Sequence, residues 1–265
     1  CAEFLIGFVT RRARSVVPLE YGFALFDAEL PRAWDLNAVW ATAASGLAIR
    51  DLAARTDDLQ GAAGIAHRRL VVFGDEDRQP TSKLDIPEWE ATSLLVMPKV
   101  RRGQHVERED VVELRAEQVE PFWIEGLRAS FPQDDETVRQ LVAAQHLRRR
   151  AAAVRYFAVV LDDVIVSTCE LFSFGGVAQI ESLMTVEHLR GRGHATAVVA
   201  RASEAAIHAG DELVFLLADE ADRPRGLYEA LGFEAAGSFR EYTRLPQRRV
   251  AGHGAGSGST EGRRS

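Results

Sequence analysis

Residues 70–91 (LVVFGDEDRQPTSKLDIPEWEA) align without a gap on residues 214–235 (VFLLADEADRPRGLYEALGFEA) at a constant offset of 144 (214 − 70). Asp75 meets Asp219, Glu76 meets Glu220, Pro80 meets Pro224, Glu90 meets Glu234 and Ala91 meets Ala235. Each stretch is a short apolar run, an acidic turn, a helix-length segment and a second strand-like run. A duplicated α/β unit accounts for this economically, and chance similarity between two β-α-β stretches is the competing account. The 265 residues by themselves allow one large domain or two small ones, and duplication favours two. The boundary is expected at 101–110, RRGQHVERED, which is charged and lacks apolar periodicity. This gives units at 1–108 and 109–248, followed by a flexible Gly/Ser-rich tail at 249–265.

Composition narrows the class by exclusion. With 46% hydrophobic residues the chain can bury a core, so wholesale disorder is excluded. No apolar run reaches the roughly 18–20 residues that a membrane-spanning helix needs. A net charge of -7 argues against coating nucleic acid, and two cysteines, Cys1 and Cys169, exclude a disulfide scaffold and a cysteine-rich zinc site. These features describe a soluble cytoplasmic protein. Phe4–Val9 is too short for a signal-peptide core and its arginines follow it, so a start at Cys1 reads as truncated or misassigned.

Apolar spacing gives the elements. In the first unit Gly22–Phe26 and Leu70–Phe73 read as strands, Leu47–Ala66 as partly helical, and Ala38–Ala44 as a helix with Asn37 as its cap. In the second, Val119–Leu127 and Asp135–Leu147 are helical by spacing, with Asp134 or Asp135 in the N-terminal turn. Phe157–Leu161, Val164–Phe174 and Val177–Val186 read as strands joined by Asp162-Asp163 and Gly175-Gly176, dipeptides suited to two-residue hairpins. A helix at Gly193–Ala209, a strand at Leu213–Leu217, a helix at Arg225–Leu231 and a strand at Ser238–Thr243 follow. The fold class is α/β, a mixed and mostly antiparallel sheet flanked by helices.

Between the third strand and the Ala/Val-rich helix lies Arg190-Gly191-Arg192-Gly193-His194-Ala195. Small residues let a backbone approach a ligand, and the first N–H groups of a helix lack intrahelical partners, which together suit a pyrophosphate. Arg190 and Arg192 add charge-assisted donors. No Gly-Lys-Ser/Thr is present, so the turn is not a P-loop. It does not complete G-x-G-x-x-G, and its strands are linked by hairpins, which argues against a Rossmann site. A glycine turn with solvated arginines is the plainer alternative.

The chain resembles the GCN5-related N-acetyltransferase (GNAT) superfamily at two places. Arg190–Ala195 fits the R/Q-x-x-G-x-G/A motif, and Leu227-Tyr228-Glu229-Ala230-Leu231-Gly232-Phe233 fits L-Y-x-x-L-G-F, with a strand between them. The resemblance covers about residues 110–245 and implies a GNAT-type sheet, with residues 1–108 as a degenerate first copy. It implies an acyl-coenzyme A-dependent N-acyltransferase, with acetyl-coenzyme A as cosubstrate and no metal. Its pyrophosphate would lie on Arg190, Gly191, Arg192, Gly193, His194, Ala195 and Thr196. The pantetheine arm would pair with Met184, Thr185 and Val186, where a bulge splays the sheet. Many members carry proline two residues after this strand, where this chain has Glu187 or His188.

Tyr228 fits the family's general acid, because a phenol stays protonated at neutral pH and can donate to a departing thiolate. A packing aromatic is its alternative. Leu84 occupies the matching position of the first copy, which also lacks the glycine turn. For the base, a carboxylate inside an apolar strand can have its pKa raised toward neutrality, and Glu181 is the leading candidate. An exposed-face role is equally open for Glu181, and Glu170 is a weaker candidate. Cys169 reads as a core residue. His188 and His194 lack metal-ligand spacing and are expected in solvent, with a coenzyme contact open to His194. The acceptor is a small-molecule or protein amine, with no nucleic-acid or membrane partner. A non-catalytic acyl-coenzyme A sensor or scaffold is the alternative function.

Overall fold

The computed structural model describes residues 1–74, 86, 88–101, 110–221 and 225–245. Residues 75–85 and 87 of the first repeat copy, Leu84 among them, lie outside these, as do 102–109 of the expected boundary and the tail.

The first half contains α1 (Ala2–Arg12), β1 (Ser15–Leu19), β2 (Gly22–Phe26), β3 (Ala38–Thr42), α2 (Ile49–Ala62), β4 (Arg68–Phe73) and β5 (Glu90–Pro98). The second contains β6 (Val111–Leu114), α3 (Ala116–Ser130), α4 (Asp135–His146), β7 (Ala153–Leu161), β8 (Val164–Phe174) and β9 (Val177–Thr185). It continues with α5 (His194–His208), β10 (Leu213–Asp219), α6 (Arg225–Ala230) and β11 (Gly237–Arg244). Among the described residues eleven strands join one sheet in the order β1-β2-β3-β4-β11-β5-β10-β9-β8-β7-β6. Two neighbouring pairs are parallel, β3 with β4 and β9 with β10. Each parallel pair is bridged in sequence by a helix, α2 or α5, so the same unit occurs once in each half.

The halves exchange their last strands. β11 lies between β4 and β5, antiparallel to both, and β5 lies between β11 and β10. Tyr242 of β11 is therefore buried in the first half's core, with Leu52 of α2 and Leu70 of β4. Leu95 and Met97 of β5 are buried in the second half's core, with Val198 and Val199 of α5. On α5 the buried face is mostly alanine and valine, which lets the helix lie close to the sheet. The opposite sheet face is covered by α1, whose Phe4 stacks on Phe174 at 4.3 Å and whose Phe8 stacks on Phe172 at 4.8 Å. A helix from the first half is thus seated on β8 of the second.

Local chemistry explains the elements that follow expectation. Both hairpin turns need two left-handed residues, supplied by Asp162 and Asp163 (φ 49 and 64) and by Gly175 and Gly176 (φ 61 and 76). Asp134 caps α4 by accepting the Thr137 N–H at 3.1 Å. The helix expected over Ala38–Ala44 is instead strand β3 and a following 3-10 turn. Its side chains alternate, Ala38 and Trp40 toward α1, Val39 and Ala41 toward α2. A strand apolar on both faces carries no periodicity that separates it from a buried helix. Asn37 therefore caps no helix start; it ends the 3-10 turn Trp34–Leu36. Its buried amide donates to Leu30 O (2.9 Å) and Ala33 O (3.0 Å) and accepts the Asp27 N–H (2.8 Å), pinning the loop before β3.

Strand exchange makes the halves one cooperative unit. Tyr242→Ala should cost about 3–5 kcal/mol. Hydrogen exchange through a urea titration should show β3–β4 and β8–β9 amides losing protection at one midpoint. Two separate midpoints would contradict the coupling.

Candidate active site

β9 and β10 pair only over Val177–Ile180 against Leu213–Leu216. Beyond that point β10 keeps its other partner, with Leu217, Ala218 and Asp219 opposite Val96, Leu95 and Leu94 of β5. β9 instead bends with β8. Thr168 faces Met184 and Glu170 faces Glu181, so Ser182 and Leu183 stand opposite Cys169 alone. This is a bulge, with Ser182 at φ 55, and it turns the strand away from β10. A cleft between two strand edges results.

At its open end β9 runs through a 3-10 turn, Glu187–Leu189, into Arg190 and then α5. Gly191 (φ 77) and Gly193 (φ 81) take left-handed conformations that other residues rarely adopt. Gly193 is the N-cap of α5 and has no side chain to cover the first-turn N–H groups. Arg190 and Arg192 are exposed, and the Arg190 Nε donates back to Thr185 O at 3.3 Å. His188 is exposed as expected. His194, the first residue of α5, is instead buried, at 5% exposure.

The expected strand contacts have specific environments. The Met184 side chain packs beneath α3, where a Cβ added at Gly126 would fall 2.5 Å from Met184 Cε. Ser167 Oγ bonds Met184 O (3.0 Å) and lies 2.8 Å from Thr185 Oγ1, while the Val186 N–H donates to Val166 O (2.9 Å). These groups fasten the bent strand to β8. Tyr228 is carried by α6, which follows β10, and is 7% exposed. Its ring meets Phe233 edge-on at 6.4 Å, in one apolar cluster with Val198 of α5 and Ala218 of β10.

Glu181 is the first residue of β9 past its last β10 partner, and it lines a cavity of about 430 Å³. Its carboxylate accepts from Gln179 Nε2 (2.7 Å) and the Ser182 N–H (3.3 Å). Burial pushes its pKa up, against the pull of Arg148. Glu170 is buried in an ion pair with Arg148, whose Nη1 also donates to Ser182 Oγ at 2.9 Å. Glu170 is thus a counter-ion that steadies the bulge. Cys169 is fully buried, burial pushes its thiol pKa up, and it is a core residue as expected.

The cavity lies on the α1 side of the sheet, and both halves line it. Arg12 of α1 pairs with Asp35 at 2.7 Å, and Arg69 of β4 pairs with Glu241 of β11 at 2.6 Å. Burial alone would raise the Asp35 carboxyl, but Arg12, Arg148 and Arg69 hold it down at about 2. None of these residues was singled out from sequence. Arg148 opens the run Arg148–Arg150, which reads as a solvated helix end until the fold buries its first member. Among the described residues no group of three metal-ligating side chains occurs, and no helix is long and apolar enough to cross a membrane.

A family model described as the Acetyltransferase (GNAT) family matches residues 116–233, from the start of α3 to Phe233. Residues 116–233 are therefore similar to a GNAT domain. No curated relative matches the chain. Solved structures share its fold at low identity. A functionally unknown conserved protein from Staphylococcus epidermidis aligns with TM-score 0.66 and 11% identity, over 88% of this chain and 94% of that one. A GCN5-related N-acetyltransferase from Kribbella flavida aligns with TM-score 0.55 and 17% identity, over 94% and 95%. A tandem GNAT protein from the clavulanic acid biosynthesis pathway aligns with TM-score 0.54 and 14% identity, over 92% and 87%. The last of these fits the duplicated arrangement seen here.

The raised pKa of Glu181 has a stability consequence with a definite sign. A carboxyl whose folded pKa exceeds its unfolded value contributes fully below the unfolded value, and that contribution is lost as pH rises through the folded pKa. Glu181→Gln should therefore melt higher than the native protein at pH 8, with the gap closing toward pH 4. Thermal denaturation across that range checks it, and a gap that widens at low pH would reverse the assignment.

Proposed function

We propose that the chain is an N-acetyltransferase that moves an acetyl group from acetyl-coenzyme A to an amine by direct attack in a ternary complex. One observation carries this reading: β9 leaves β10 after Ile180, with Glu181 of the cavity just past that point and the glycine turn before α5 following the free end of the strand. The pyrophosphate would rest on the backbone from Arg190 to Thr196, with Arg190 and Arg192 adding charge. The pantetheine arm would follow Met184–Val186, using the groups that the bonds to β8 leave over.

The chemistry then divides between two side chains. The amine nitrogen forms a bond to the acetyl carbonyl carbon as the carbon–sulfur bond breaks. Glu181 takes the proton that nitrogen loses, for which a raised pKa is suited. Tyr228 gives its phenolic proton to the departing sulfur and regains one from solvent, yielding the amide and free coenzyme A. Residues 109–248 form the catalytic unit in this reading. Residues 1–108 are a degenerate GNAT-like copy, with neither the arginine–glycine turn nor a tyrosine at Leu84. The free Cys1 and Cys169 suit a reducing, cytoplasmic setting.

Coenzyme A release with an amine panel, paired with acetyl-coenzyme A calorimetry, tests the assignment. Tyr228→Phe should lower kcat by about 10²–10⁴-fold while acetyl-coenzyme A binds nearly as before. Turnover that survives intact removes Tyr228 from the role. Glu181→Gln should abolish the acidic limb of the kcat/KM profile, which in the native protein lies above the ordinary carboxylate range. Binding of acetyl-coenzyme A without turnover of any amine would favour a sensor or scaffold instead.

A further inference from the structure

The cavity beside Glu181 has a charge pattern more specific than amine binding requires. Three arginines line it, and each has a carboxylate partner: Arg12 with Asp35, Arg69 with Glu241, Arg148 with Glu170. Glu181 is a fourth carboxylate, held only by the Gln179 amide and the Ser182 N–H among the bonds described. Two arginine donors also stand over. The Nε groups of Arg12 and Arg69 are buried and have no hydrogen-bond partner among the described residues, and Arg12 as a whole is 5% exposed. Leaving a buried donor unmet is costly, so such groups are placed to receive an acceptor oxygen.

We propose that the acceptor is an amino-acid-like amine, its carboxylate taken by Arg12 and Arg69 of the first half and its amino group by Glu181 of the second. The proposal rests on the acetyltransferase reading of this site and names its substrate class. A bare amine would leave both arginine donors unmet, and a bare carboxylate would leave Glu181 without an ammonium donor. A zwitterion answers both. Aromatic rings of Phe8, Trp40, Phe172 and Phe239 line the same space and favour an apolar body on the amine. The first half, without chemistry of its own, thereby sets specificity through α1 and β4.

Matched probes that differ only in the carboxylate test this: phenylalanine against 2-phenylethylamine, and leucine against 3-methylbutylamine. Their binding to the full chain saturated with coenzyme A is measured by calorimetry, independently of turnover. A coenzyme A titration alone reports on the acetyltransferase reading, so failure of that reading is seen separately. The amino acid of at least one pair should bind about tenfold or more tightly than its decarboxylated partner, the effect of a charge-assisted hydrogen bond. Arg69→Lys keeps a charge opposite Glu241 but loses the planar fork, and should bring the preference below about threefold. If that variant fails to fold, the charge-neutral pair Arg69→Met with Glu241→Met serves instead. Equal binding within both pairs, no binding by any probe, or a preference unchanged in the folded variant would overturn the proposal.

Discussion

β11 takes hydrogen bonds from β4 along one edge and from β5 along the other, and this exchange holds the rest of the molecule in register. It makes one sheet of two, so neither half completes its core alone. Leu95 and Met97 fill the α5 side while Tyr242 fills the α2 side, and burying each such side chain is worth roughly 1.5–3 kcal/mol. The exchange also brings Glu241 of β11 against Arg69 of β4. The wall of the charged cavity thus exists only where the last strand of the second half lies against the first.

The second constraint is local and sits on β9. Two residues opposite one turn the strand, and the turn does two things at once. It frees the edge of β10, and it leaves Glu181, which lines the cavity, as the first residue past the last β10 partner. Arg148 fastens this bend from below, holding Glu170 on β8 and Ser182 on the bulge. Because Ser182 is left-handed without being glycine, the bend depends on those surrounding bonds and not on local preference.

Sequence legibility followed the range of the forces involved. The hairpins at Asp162–Asp163 and Gly175–Gly176, the Asp134 cap and the glycine turn before α5 are all short-range, and each was readable from a few residues. β3 was not, since Ala38–Thr42 is apolar on both faces and only its neighbours decide between strand and helix. His194 was expected in solvent because the sequence shows no partner for it. It is buried at the start of α5.

The amino-acid sequence by itself determined the repeat, the mixed sheet and the two motifs around α5 and α6, since these rest on spacing and on residues with restricted backbone freedom. It also placed Glu181 in an apolar strand. Tertiary structure alone decided that the halves exchange strands and that α1 lies on the second half. It also placed Arg12, Asp35, Arg69, Arg148 and Glu241 around one cavity. Those charged residues are up to 229 positions apart (241 − 12), and each is an unremarkable polar residue in its own segment. What makes them a site is burial together, and burial is a property of the packed sheet.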